Sequence, residues 1–180
     1  MKFCSTCGSH IRIAIPEGDN RDRYICSDIE CATIHYQNPR IITGCLPIYQ
    51  DKVLLCKRAI EPRYGLWTLP AGFMENGETT EQGALRESWE EAHANLRVDH
   101  LYTLFNLPYI NQVYFFYKAA LITASFFINT KSLGVVFFSE KHIPWDQLAF
   151  SVVKKTLQHY FNDRKTQHFP LHIEDLERSA

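Results

Sequence analysis

The chain has 180 residues, 46% of them hydrophobic, and carries 19 Lys and Arg against 20 Asp and Glu. That length holds one domain, or one domain and a small module, and a net charge of −1 argues against a general nucleic-acid binder, so no stable nucleic-acid partner is expected. No apolar run reaches the roughly 18 residues that span a bilayer, and MKFCSTCGSH has no signal-peptide core, which leaves a cytoplasmic location with no membrane contact as the expectation.

Residues 1–36 differ from the rest of the chain. They are rich in turn formers, poor in large apolar side chains, and hold four of the six cysteines. Cys4 and Cys7 make C-x2-C; Cys26 and Cys31 make C-x4-C after an 18-residue gap. Zinc takes four thiolates in a tetrahedron, and two short knuckles can present two each. A metal cross-link would also compensate for a segment too small and polar to build its own core. The expectation is a small zinc ribbon with Zn2+ on Cys4, Cys7, Cys26 and Cys31. A redox pair is the alternative, and His10 and His35 are possible substitutes for one cysteine. Cys45 and Cys56 sit in apolar runs and are expected to pack as small hydrophobes.

HYQNPR, with Pro39, marks the junction to a domain over residues 37–162. IITGCLPIYQ and VLLCKRA predict two strands joined by a polar turn at Asp51 and Lys52. GLWTLPAGF predicts short extended pieces broken by Pro70 and Gly72. After a helix come HLYTLFNL and QVYFFYKAALIT, both rich in β-branched and aromatic residues, and then SLGVVFF. PWDQLAFSVVKKTLQHYF has helical spacing, with Leu148, Val152, Val153 and Leu157 near one face and Pro144 ahead of it. Residues 163–180 are expected as a polar tail on the surface. Strands mixed with two helices predict an α/β class, an α+β sandwich.

The stretch GFMENGETTEQGALRESWEEAHA, from Gly72 to Ala94, gathers six glutamates, three of them between Glu87 and Glu91. Thr79 with Gln82 three residues later makes a capping box, so a helix should begin near Thr80. At ~100° per residue, with Glu87 at zero, Glu91 falls at about 40° and Glu90 at about 300°. Leu85, Ser88, Trp89 and Ala92 fall on the other side, which predicts an acidic face opposite a mostly apolar one. Like charges one turn apart weaken a helix by roughly 0.2–0.5 kcal/mol per pair. A merely solvated face could bear that; a site for a hard divalent cation such as Mg2+ would use it, since Mg2+ prefers carboxylate and water oxygens.

The spacing favours the cation site. Gly72, Glu78, Arg86, Glu87, Glu90 and Glu91 read G-x5-E-x7-R-E-x-x-E-E. This resembles the signature of the Nudix hydrolases, G-x5-E-x7-R-E-U-x-E-E-x-G-U, where U is aliphatic. The resemblance implies a Nudix fold, a mixed β-sheet between helices. It implies Mg2+ or Mn2+ on Glu87, Glu90 and Glu91, with the Gly72 backbone beside them, and water attack on a diphosphate linked to another group. Glu78 would support the site and Arg86 would orient the glutamates. Two positions depart from the signature: Ser88 replaces an aliphatic residue and must bond back to a carbonyl if buried, and His93 stands where Gly would cap the helix in a left-handed conformation. If His93 does not cap, Asn95 would. Glu140, in FFSEKHIPW, is a candidate general base, with Glu75 and Glu78 as alternatives. Related sequences carry acidic residues just before the SLGVVFF strand, where this chain has Lys131 and Gly134.

A zinc ribbon before such a domain, with IPEGDNRDRYIC, IHYQNPR, AIEPRYGLWTLPAGFMENGETTEQGALRE and IPWDQLAF, is similar to a Nudix subgroup linked to hydrolysis of ADP-ribose and FAD. The NADH pyrophosphatases also join a ribbon to a Nudix domain, but carry an SQPWPFPxS-like run that this chain lacks. The resemblance therefore implies a small-molecule nucleotide substrate, release of AMP, and a homodimer. Arg58 and Arg63 are candidates for substrate phosphate. Tyr109, Tyr114, Phe115 and Phe116 could offer an adenine slot, although alternation turns about half of them to the core. The alternatives are a non-catalytic nucleotide-binding regulator and a pyrophosphatase for NADH, oxidised nucleotides or RNA caps.

Overall fold

The computed structural model describes residues 1–122 and 132–178; Thr123 and Lys131 lie outside them. The described chain forms two units, Met1–Pro39 and Arg40–Ala180. In the first, β1 (Ile11–Ala14), β2 (Arg23–Cys26) and β3 (Ile34–His35) pair antiparallel in that order. Among its described residues the buried apolar side chains are Cys4, Ile25 and Cys26. Two of these three are cysteines, so the interior of this unit is largely sulfur.

The second unit is a mixed sheet. Its strands are β4 (Arg40–Tyr49), β5 (Lys52–Arg58), β6 (Trp67–Thr68), β7 (Ala71–Phe73), β8 (Leu96–Leu107), β9 (Gln112–Leu121), β10 (Ser132–Phe138) and β11 (His172–Asp175). Helix α1 (Thr80–Ala92) follows β7, and α2 (Ser151–Asp163) follows β10. The order is β10-β5-β4-β9-β8-β11, with β6 on β5 and β7 on β4. Side chains alternate between the two faces of a strand. Leu46, Val53 and Leu55 enter one cluster with Tyr102, Phe105, Phe116, Val153 and Leu157, against α2. Cys45, Leu54 and Cys56 enter the other with Ala84, Ala92, Ala119 and Leu121, against α1. Burial pushes the Cys45 thiol up to about 12 and Cys56 well above its ordinary value, so both behave as the apolar residues expected of them.

Strand β4 changes partner along its length. Ile42, Thr43 and Gly44 pair with β7, while Ile48 and Tyr49 pair with β5. On its other edge it runs parallel to β9 from Arg40 to Ile48. Gly44 is required at the changeover: a Cβ there would lie 2.4 Å from the Pro70 carbonyl oxygen and from the Ala71 Cβ. Strands β7 and β5 therefore share one edge of β4, each on its own stretch.

Two segments differ from the sequence expectation. The helical spacing from Pro144 becomes one short 3-10 turn, Trp145–Gln147, before α2 starts at Ser151. Leu148 bridges Trp67, and the Ala149 N–H donates to the Trp67 carbonyl at 2.8 Å, so backbone pairing holds this stretch out of the helix. The segment after α2, expected to be a surface tail, contributes β11, parallel to β8. Polar side chains fix it: His172 meets Asp163 at 2.7 Å, Lys155 and His159 both meet Glu174, and the His159 and His172 rings stack at 3.9 Å.

Candidate active site

Helix α1 starts where its capping box places it. The Gln82 N–H donates to Thr79 Oγ1 at 3.1 Å, and the Thr79 N–H donates to Gln82 Oε1 at 2.8 Å. It ends at His93, which takes the left-handed conformation itself, φ 49° and ψ 30°. The sheet then decides which face is buried. Gly83, Ala84, Glu87, Ser88 and Ala92 are buried, whereas Trp89 is 53% exposed. The buried stripe thus includes Glu87 and excludes Trp89, against the simple acidic-versus-apolar division. Small residues let the helix sit close to the sheet, and Ser88 satisfies its hydroxyl on the Ala84 carbonyl at 2.7 Å.

Arg86 organises the carboxylates. Its Nε and NH2 donate to the two Glu78 oxygens at 3.0 and 2.8 Å, and its NH1 donates to Glu87 Oε1 at 2.6 Å. NH2 also donates to the Phe73 carbonyl at 3.1 Å, and Glu90 lies 3.6 Å from NH1. The Arg86 guanidinium beside Glu78, helped by the Glu75 N–H, holds that carboxyl down at about 2. Glu91 Oε2 accepts from the Ala71 N–H at 3.3 Å. One guanidinium against Glu78, Glu87, Glu90 and Glu91 leaves an excess of negative charge beside β7.

Two glycines make this arrangement possible. A Cβ at Gly72 would lie 2.3 Å from Glu87 Cδ, so the carboxylate occupies the space a side chain would fill. A Cβ at Gly83 would lie 2.6 Å from Glu78 Oε1 and 2.7 Å from Thr43 Cγ2. Sequence reading missed Gly83, Thr43, Tyr117 and Ser132. Thr43 donates to the Thr80 carbonyl, Tyr117 bonds the Thr80 hydroxyl at 2.7 Å, and Ser132 donates to the Glu91 carbonyl at 2.8 Å. These bonds anchor α1 at both ends. A glycine inside a helical pattern was the one available signal, since it costs roughly 1 kcal/mol unless something needs the space.

The glutamates fit a hydrated divalent ion better than a closed cage. Among the described residues, only Cys4, Cys7, Cys26 and Cys31 bring ligand atoms within 4.8 Å of one another. Glu87, Glu90 and Glu91 do not converge so tightly. Mg2+ dehydrates reluctantly and is usually held by one or two carboxylates, waters and substrate phosphates. The donor set suits that mode.

The sulfurs, in contrast, are ready for zinc. Cys4 and Cys31 Sγ lie 3.8 Å apart, and Cys7 and Cys26 Sγ 3.4 Å. A tetrahedron with Zn–S near 2.3 Å has edges of about 3.8 Å. Burial pushes the Cys4 thiol up, but the N–H groups of Cys7 and Thr6 and the His35 ring bring it down to about 5. Burial raises Cys26 to about 12, and the neighbouring sulfurs act the same way. Four thiolates cannot collect here without a cation to neutralise them. His35 Nε2 stands 3.3 Å from Cys4 Sγ as a partner to a ligand, and the His10 ring packs on Phe3 at 4.9 Å.

Comparison with known proteins identifies both segments of the chain. The family model described as "NUDIX domain" matches residues 38–149, well over half of the chain. The chain belongs to the NUDIX family. A zinc-ribbon model described as "Nudix N-terminal" matches residues 2–37 of this Nudix hydrolase. A crystal structure of a NUDIX hydrolase from Nitrosomonas europaea is 50% identical, covers 98% of this chain and 100% of its own, and superposes with a TM-score of 0.91. A protein named NAD-capped RNA hydrolase NudC from Vibrio atlanticus is 38% identical over 92 residues, 51% of this chain and 31% of that protein. An ADP-ribose pyrophosphatase from Methanocaldococcus jannaschii is 34% identical over 73 residues, 41% of this chain and 43% of that protein. The chain thus spans less than half the length of these curated relatives.

Within the Nudix domain the other candidate residues fall in different places. Arg58, at the end of β5, donates from Nε to the Pro62 carbonyl at 2.9 Å and lays its guanidinium over the Phe150 ring at 5.0 Å. Arg63 is exposed in the loop after β5, with φ 70°. Glu140 is not brought to the Nudix helix. It pairs with Arg164 at 2.8 Å beyond the Phe138 end of β10, whereas the Ser132 end touches Glu91. Among the described residues, no helix is long and apolar enough to cross a membrane.

Proposed function

We propose that this Nudix hydrolase cleaves the diphosphate of a nucleoside diphosphate derivative such as ADP-ribose or FAD, releasing AMP. In this reading Glu87, Glu90, Glu91 and the Gly72 backbone hold Mg2+ or Mn2+. The observation that carries it is the carboxylate cluster ordered by Arg86 around Gly72. A bound divalent ion supplies neutralisation of the phosphate oxygens and a water of lowered pKa. A water oxygen forms a bond to one phosphorus, the bond from that phosphorus to the bridging oxygen breaks, the bridging oxygen leaves on the other phosphate, and the proton shed by the water passes to bulk solvent. Arg86 bridges Glu78 and Glu87 and fixes where both carboxylates lie. Glu78, held at about 2, is a poor proton acceptor and acts as a strut. Arg58 and Arg63 are the proposed phosphate contacts, and the sulfur cluster is proposed to hold structural Zn2+.

A second reading is supported by the relative named NAD-capped RNA hydrolase: the diphosphate of an NAD group, free or at the end of an RNA. One panel separates the two. AMP or capped-end release is measured from ADP-ribose, FAD, NADH, an oxidised nucleoside triphosphate and NAD-capped RNA, with and without Mg2+. Glu90→Gln and Glu91→Gln should lower turnover by more than the roughly 10–100-fold seen when a ligand's supporting partner is removed, with circular dichroism unchanged. Unchanged turnover in both variants removes α1 from the chemistry. Nucleotide binding without product supports a regulatory module instead.

A further inference from the structure

The strand that follows the second cysteine knuckle carries two hydrogen-bond donors aimed at the sulfurs. Ile25 of β2 is opposite Ile34 of β3 and Tyr24 is opposite His35, and just ahead of β3 the Cys26 N–H donates to the Thr33 carbonyl at 2.9 Å. Thr33 and His35 are two residues apart, so their side chains leave the strand on one face. That face meets the sulfurs. His35 Nε2 is 3.3 Å from Cys4 Sγ, and Thr33 Oγ1 is 3.1 Å from Cys31 Sγ. The Thr6 N–H adds a third donor, to Cys4 Sγ at 3.4 Å. Ala32, with φ 47°, turns the chain straight after Cys31, and Thr33 comes back beside the sulfur. The Thr33 hydroxyl also lies 3.5 Å from the Cys31 carbonyl, but it has one proton to give.

We infer, on the zinc reading above, that Thr33 and His35 are the donors that hold Cys31 and Cys4 as metal-bound thiolates, and that metal exchange begins at Cys7. A thiolate has no proton to donate, so with zinc in place the imidazole N–H and the hydroxyl must be the donors. Four thiolates on one Zn2+ leave an excess of negative charge, and a charge-assisted bond to each of two sulfurs draws some of it away. A sulfur with less charge is also a poorer nucleophile. Exposure divides the ligands in the same way. Cys4 and Cys26 are buried and Cys31 is half-buried, whereas Cys7 is exposed, where water and electrophiles reach it. His35 is thus the partner of a ligand and not a ligand, because the four sulfurs alone already lie within 4.8 Å of one another and complete a tetrahedral set.

The test loads the full-length protein with Zn2+ and, separately, with Co2+. His35→Ala and Thr33→Val should each weaken Zn2+ by about 10–100-fold in competition with a chelator, the usual effect of removing a ligand's hydrogen-bonded partner. Each should also move the sulfur-to-cobalt charge-transfer band to longer wavelength. His35→Gln, which keeps an N–H, should recover most of both. A ribbon merely loosened by the substitution would lose affinity with the band unmoved; that result, or affinity unmoved in both variants, overturns the donors. Thr33→Val keeps the shape of the side chain, so it decides the matter even if His35→Ala does not fold. Iodoacetamide labelling of the zinc-loaded wild type, mapped by mass spectrometry, should mark Cys7 first. Cys4 should react faster in His35→Ala and Cys31 faster in Thr33→Val. Cys4 or Cys31 marked before Cys7 in the wild type overturns the order of exchange. A wild type that takes up neither metal at the four cysteines overturns the zinc reading as well, whereas unchanged variants of a protein that does bind zinc overturn the donors alone.

Discussion

Each donor of Arg86 recorded in the structure is directed at a group that shapes the carboxylate cluster. That makes the Arg86–Glu78 pair one source of acid sensitivity. Glu78 is lowered to about 2 by Arg86, so the stability it contributes is complete above its ordinary value of 4.5 and is lost as pH falls toward 2. Urea midpoints of the wild type and Arg86→Lys should therefore differ near pH 6 and converge as the pH approaches 2; a constant difference would mean the pair is not the cause. Gly72 gives a second prediction. Its added Cβ would meet the far end of a flexible side chain, so the fold can yield where the site cannot. Gly72→Ala should retain native circular dichroism and lose roughly 10²-fold in turnover, the usual effect of a misplacement of about 1 Å. The spacing of the six signature residues made these roles readable beforehand. Gly83, Thr43 and Ser132 were not readable, because each matters through a contact with a residue distant in sequence.

Among the elements, α1 was the most legible and β11 the least, while α2 was read with its start too early. Thr79 and Gln82 announce the start of α1 by a local hydrogen-bond exchange that needs no tertiary context. Thr79→Ala should cost about 1 kcal/mol and lower the melting temperature by about 2–4 °C, measured by calorimetry. The interior of α1 was harder to read, since a wheel assigns charge to water, while Arg86 allows Glu87 to be buried. Leu148 shows the opposite failure. Its spacing is helical, yet the exposed backbone of Trp67 offered it a strand-like partner. Strand β11 had no apolar alternation to announce it: it is held by ion pairs to α2 and by the ladder to β8, both visible only once the sheet exists.

At the scale of the whole molecule, the cysteine spacing and the shift in composition near Pro39 were enough to separate two units. The first depends on its sulfurs. With zinc worth about 10–16 kcal/mol to domains of this kind, chelation of the full-length protein should release the amides of Ile11–Ala14 and Arg23–Cys26 to rapid hydrogen exchange. Those of α1 should stay protected. Protection of the first set after metal removal would show that the apolar residues alone suffice.

The parallel pairing of β4 with β9 has a consequence for synthesis. Parallel neighbours need a long connection between them, and here that connection contains α1 itself. Thr80 is anchored by Tyr117, and Ala84 and Ala92 pack with Ala119 and Leu121. A nascent chain that has not yet emerged past Leu121 carries the entire signature but lacks half of the floor on which its helix rests. Motif and scaffold are therefore separated in time on the ribosome, and the carboxylate cluster is fully supported only when the last central strand arrives.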